Sequence, residues 1–195
     1  MNLSIQTHPL IEQPEVIINP VTGDRMTILE SSLQHDGHYT KIRFDLPPGA
    51  EGSPLHYHNE MSETFTILEG CLDMEVGGKG NRRTLQAGEQ VHVPAGTHHS
   101  FRNSSDRWVA FTTENRPADG FDQFIRGMFG LAIDGKTNAK GMPTNLFHMA
   151  LLVKKADMVL VGPSPTLQKV LIGALVAIGK WTKVEQSLSK YWHHN

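Results

Sequence analysis

Between Glu15 and Thr113 the apolar positions come in short bursts, each closed by turn-forming residues. Ile17 and Ile18 run into Asn19–Pro20, and Met26, Ile28 and Leu29 precede a polar turn at Asp36–Gly37. An alternating stretch over 38–46 stops at Pro47–Pro48–Gly49. Further bursts fall at 55–58, 63–69, 72–76, 82–85, 91–93, 99–103 and 108–113, punctuated by Gly70, Gly77–Gly78, Gly80, Gly88 and Gly96. Alternation with closely spaced turns predicts short strands, and their number predicts an all-β sandwich or barrel, not a βαβ fold. After Pro117 the period changes. Phe121, Phe124, Ile125, Met128, Phe129 and Ala132 share one face of a helix, with Asp122, Gln123 and Arg126 on the other. A second helix is expected from about Pro143 to Pro163, interrupted by Lys154, Lys155 and Asp157. A third runs over 166–191, with Ser164–Pro165 as cap and first turn.

Charge divides the chain differently. Residues 1–135 hold 10 Lys/Arg against 18 Asp/Glu, whereas 136–195 hold 8 against 2. The acidic body argues against a nucleic-acid face, which needs a basic patch to displace phosphate counterions. One cysteine excludes an intramolecular disulfide framework and any cysteine-cluster metal site. The amino terminus lacks a basic region followed by an apolar run, so the expected compartment is the cytoplasm. The charge-free run 170–179 spans about 15 Å as a helix, half of a bilayer core, so it is not expected to cross. Docking of this tail on the body or on a partner is preferred to membrane attachment, although Trp181, Trp192 and the flanking lysines are features of a surface anchor.

The 11 histidines carry the candidate chemistry. His56 and His58 are two apart, so on a strand both point to one face. Glu63 follows across a short turn, and His99 lies after Pro94–Ala95–Gly96, where an antiparallel strand can deliver it to the same place. Imidazoles plus one carboxylate, with no thiolate, suit one divalent transition metal: Fe, Mn, Ni, Co or Zn. His98 faces away from His99 by parity; His92, His35 and His38 are assigned mainly to surfaces, and His193 and His194 to a disordered end.

These residues resemble the cupin superfamily. His56, His58, Glu63 and Gly70 match its first motif, although the usual glycine six positions before the first histidine is missing. Gly88, Pro94, Gly96, His99 and Asn103 match the second at every spacing. The resemblance covers about 38–114 and implies a cupin-type antiparallel jelly-roll barrel, with His56, His58, Glu63 and His99 holding one divalent metal inside it. The expected organisation is an arm over 1–14, a barrel over 15–116 and a C-terminal helical extension over 117–195.

Strand parity places Phe65 and Ile67 on the side of Glu63, and Phe101 on the side of His99. Ile42 and Phe44 complete an expected substrate pocket that is aliphatic and aromatic, with Lys41 and Arg43 on the opposite parity. With no nucleotide, haem or nucleophile motif, the metal must carry any chemistry. The preferred reading is a dioxygenase-like enzyme oxidising a small apolar or aromatic substrate. Against it stand a non-catalytic binding or sensing cupin and a metal-dependent isomerase or lyase. A homodimer is expected, because the outward strand faces and the helix stripe leave apolar surface to cover.

Overall fold

A computed structural model describes residues 14–192. The expected arm therefore lies, apart from Pro14, outside the described residues, as do His193 and His194. The alternating bursts form ten strands in chain order. They are β1 (Val16–Ile18), β2 (Arg25–Glu30), β3 (Thr40–Leu46), β4 (Ser53–His58), β5 (Ser62–Glu69), β6 (Cys71–Val76), β7 (Arg82–Gln86), β8 (Gln90–Val93), β9 (His99–Arg102) and β10 (Val109–Arg116). Helices α1 (Phe121–Ile133) and α2 (Leu146–Lys155) follow, then an eleventh strand, β11 (Met158–Leu160), and helices α3 (Pro165–Trp181) and α4 (Val184–Ser189).

The strands make two sheets, ordered β1-β2-β3-β10-β5-β8 and β11-β4-β9-β6-β7, with antiparallel pairing throughout. Alternation sends Ile42, Phe44, Phe65, Ile67, Leu72 and Met74 into the space between them. Two motif residues explain the tight connections. Gly70 turns at φ +74°, and a Cβ there would lie 2.7 Å from the Trp108 carbonyl oxygen, so only glycine fits. Asn103 is buried and directs its amide at the carbonyls of Pro47 (2.9 Å) and Arg107 (2.7 Å), while its oxygen accepts from the Ser105 hydroxyl (2.7 Å).

The expectation of an all-β jelly-roll barrel is corrected here. The two sheets do not close on each other: β1 and β8 remain the edges of one, β11 and β7 of the other. Closure requires a hydrogen-bonded ladder between edges, and strand patterning carries no information about it. The fold is mixed α/β, with four helices among the described residues, and the terms jelly roll and β-barrel do not describe it.

The carboxy-terminal part also departs from expectation. Its second helix stops at Lys155, and the residues after it form β11 along the edge of β4, with Met158 opposite His58 and Leu160 opposite His56. The last helix breaks at Lys183, which has φ +59°, into α3 and α4. Helix α1 packs Phe121, Ile125 and Phe129 of its predicted stripe into the inter-sheet core, but the face expected to be polar is buried too, at Asp122 and Arg126. Its Leu131 joins Ala150, Leu151, Leu152, Val176 and Leu188 in a second apolar cluster, which holds the helices together. The buried Asp122 accepts from the hydroxyls of Ser31 and Ser32, both at 2.7 Å, and ties α1 to the segment before β3. No helix among the described residues is long and apolar enough to cross a membrane.

Candidate metal centre

Ladder register assembles the histidine cluster. His56 on β4 lies directly opposite His99 on β9, and their ring centroids are 4.2 Å apart. His58, two residues on, shares the face, with its ring 4.9 Å from that of His56. Glu63 comes from the other sheet, on β5, and reaches across the interior to His99, where Oε2 and Nε2 are 2.8 Å apart. One nitrogen or oxygen from each of the four residues falls within 4.8 Å of all the others, and all four are buried.

Each imidazole is oriented from behind. Nδ1 of His56 donates to the Pro54 carbonyl (2.7 Å), Nδ1 of His99 to that of Thr97 (2.9 Å), and Nδ1 of His58 to that of Ala156 (2.7 Å). Such bonds fix the tautomer and leave the second ring nitrogen as a lone-pair donor, which is the arrangement a metal-binding histidine needs.

The electrostatics fit a cation. Burial, reinforced by the neighbouring rings of His99 and His58, lowers His56 to about 3, so at neutral pH it is unprotonated. Burial alone would raise the Glu63 carboxyl, but the imidazoles of His58 and His99 beside it prevail and hold it well below the usual carboxylate range. Burial likewise opposes charge on His58, and the adjacent Glu63 carboxylate outweighs it, raising that imidazole. Nε2 of His58 is nevertheless a buried polar atom without a hydrogen-bond partner, 3.4 Å from Glu63 Oε2. An orphan of this kind is costly in a dry interior. A divalent ion would satisfy it. The residues fit one divalent transition metal.

The five expected pocket residues come together as well. Phe65 stands 6.2 Å from the His99 ring and 5.8 Å from that of Phe101, and Phe111 packs on Phe44, Phe65 and Phe101 at 5.3–6.0 Å. Ile42, Phe44, Phe65 and Ile67 are buried, and Phe101 is half-buried. They form a packed apolar wall behind the cluster. His98 stacks on Tyr57 on the far face, while His92 is exposed beside Thr64.

Three contributors escaped the sequence reading. Phe111 is an inward position on β10. Phe121, at the first turn of α1, sets its ring edge-on to His58 at 6.3 Å and covers the site. Ala156 acts through a backbone carbonyl, which leaves no side-chain signature at all. A cavity of about 490 Å³ is lined by residues that include Asp36, Asp119, Gln123 and Lys155, and by none of the four clustered residues.

Comparison with known proteins bears on the same region. Residues 42–113 match the family model described as Cupin domain. The chain is 33% identical over 110 residues to the "Probable oxidoreductase virH" of Hypocrea virens, an alignment covering 53% of this chain and 49% of that one. It is 35% identical over 86 residues to the "Quercetin 2,3-dioxygenase" of Bacillus subtilis, covering 44% and 25% respectively. Among solved structures, a predicted oxalate decarboxylase from Thermotoga maritima aligns at 27% identity with a TM-score of 0.44, over 53% of this chain and 90% of the other. The chain thus spans about half the length, or less, of these two curated relatives.

Proposed function

Because the chain is a metal-binding cupin, we propose that His56, His58, Glu63 and His99 hold one divalent transition metal and that the centre oxidises a small apolar or aromatic molecule, with dioxygen as the oxidant. The observation that carries this reading is the convergence of three carbonyl-anchored imidazoles and one carboxylate against a wall of phenylalanines. A bound ion of this class supplies Lewis acidity and, for iron, manganese, cobalt or nickel, redox chemistry. The chain's own residues do the rest. Glu63 offsets part of the ion's charge, and the three histidines stay neutral donors. Phe65 and Phe101, backed by Ile42, Phe44 and Ile67, keep water away and accept an apolar substrate face. Arg126 is the sole Lys or Arg among the buried residues described, and it lies on α1, so this wall has no cation to clamp a phosphate or sugar acid. Two curated relatives bear the names of an oxidoreductase and a dioxygenase, which favours oxidative chemistry over isomerisation.

Loading the protein with Fe(II) without oxygen, adding candidate aromatic substrates and then pulsing oxygen tests the assignment. Oxygen uptake above that of free iron, dependent on a substrate that binds, is expected. Uptake no greater than free iron for every ligand that binds would leave a binding or sensing cupin, or a metal-dependent isomerase or lyase.

A further inference from the structure

The segment between α2 and β11 does more than connect them. Its Ala156 carbonyl holds His58, and Asp157 follows in the left-handed region at φ +50°. That conformation is uncommon for a residue with a side chain, and aspartate is among the residues that tolerate it best. It turns the chain so that β11 can start at Met158, opposite His58. It also aims the Asp157 carboxylate at the turn linking two of the clustered residues. Oδ1 accepts from the Asn59 side-chain amide and Oδ2 from the Glu60 backbone N–H, both at 2.7 Å. Those two residues follow His58 directly, and the next strand residue but one is Glu63 at the start of β5. A single carboxylate therefore fixes the path from His58 to Glu63, and the residue before it fixes the His58 ring.

We propose that Asp157 is a positioning residue of the metal centre: its clasp on Asn59 and Glu60 sets the separation of His58 and Glu63 and holds the Ala156 carbonyl against His58. The inference rests on the reading that the quartet binds a metal. Metal affinity thereby depends on a residue that never meets the ion, located far outside the stretch matched by the family model. Groups that orient metal ligands typically change affinity 10- to 100-fold when removed.

Two substitutions separate the clasp from simple charge. Asp157→Gly keeps the backbone conformation, which glycine adopts freely, and removes both acceptors. Asp157→Asn removes the charge, yet after a flip of the Asn59 amide it can still bond both partners. Co(II) affinity and the visible absorption of the Co(II) protein are measured for each, with the metal-free melting temperature alongside. In Asp157→Gly, Co(II) binding is expected to weaken at least 10-fold with a changed spectrum. In Asp157→Asn it is expected to stay within about 3-fold of wild type, well short of the loss expected when an orienting group is removed. A merely structural role would lower the metal-free melting temperature and leave affinity and spectrum alone, which overturns the proposal. Equal weakening in both variants also overturns it, in favour of through-space charge. Should Asp157→Gly fail to fold, Asn59→Ala decides on the exposed side of the clasp. Weaker Co(II) binding there supports the proposal, and unchanged binding defeats it. Absence of Co(II) binding by the wild-type chain would overturn the quartet reading as well.

Discussion

Glu63 and His99 stand on different sheets, and their side chains meet at 2.8 Å inside the molecule. His58, on the same sheet as His99, also faces Glu63 at 3.4 Å, and aromatic rings pack around the group. The pair is thus an electrostatic staple across the interior, and a metal at the same point would tie β5 to β4 and β9. Replacing Glu63 by Gln keeps the shape and one acceptor but removes the anion. Metal content after loading and dialysis should fall 10-fold or more. Retention at the wild-type level would remove Glu63 from the ligand set.

Acid should destabilise the metal-free protein through His56. The unfolded chain takes up a proton there near pH 6.5, whereas the folded chain resists until about pH 3. In that window the unfolded state binds more protons, so stability falls as pH drops. Glu63 acts in the same sense, because its folded carboxyl is depressed and its contribution disappears on acidification. His58 opposes them. Raised in the folded state, its contribution is full below pH 6.5 and is lost as pH rises through its folded value. Urea unfolding in the presence of a chelator should show a net loss of stability between pH 6.5 and 4, toward which His56 alone contributes on the order of 3 kcal/mol. A flat profile would show that His56 is not held neutral.

Phe121 covers His58 from α1, so reducing it should open the centre. Phe121→Leu retains most of the buried volume, and its stability cost should stay below about 2 kcal/mol, whereas Ala would cost about 3–5. Extraction of bound Co(II) by a chelator, followed by absorption, should accelerate several-fold in the leucine variant. Identical extraction rates would place the route to the metal elsewhere.

Helix α3 buries Val176 and Gly179 but leaves Leu167, Val170, Leu171, Ile178 and Trp181 exposed, the last at 87%. These residues lie on one face, the opposite side from α2 and β11. The homodimer expected from the sequence would cover this stripe. Light scattering should report twice the single-chain mass, and Val170→Glu with Ile178→Glu should halve it while sparing Co(II) binding. A single-chain mass for the wild type defeats the expectation. Flotation of the wild type with anionic vesicles, abolished by the same substitutions, would show a membrane surface to be the occupant instead.

The parts legible in the sequence were those governed by local spacing. Parity put His56 and His58 on one face and Phe65 and Ile67 beside Glu63, and the turn at 94–96 delivered His99. The stripe of α1 was visible because its period is self-contained. Failures share a different cause. Met158–Val159–Leu160 reads as the tail of a helix ending at Pro163, and it becomes a strand only because the edge of β4 offers a ladder. Whether two sheets close or stay open is decided by edges distant in sequence. Ala156 contributes a carbonyl that every residue type possesses.

The bond from Ala156 to His58 joins residues 98 apart in the chain. During synthesis at about 5–20 residues per second, His99 leaves the ribosome several seconds before Ala156. Throughout that interval the four clustered side chains exist without the clasp that orients one of them. Maturation of the centre is therefore a late event: a nascent chain can pair β4 with β9 early, yet the His58 ring acquires its fixed orientation only when the far end of the protein arrives.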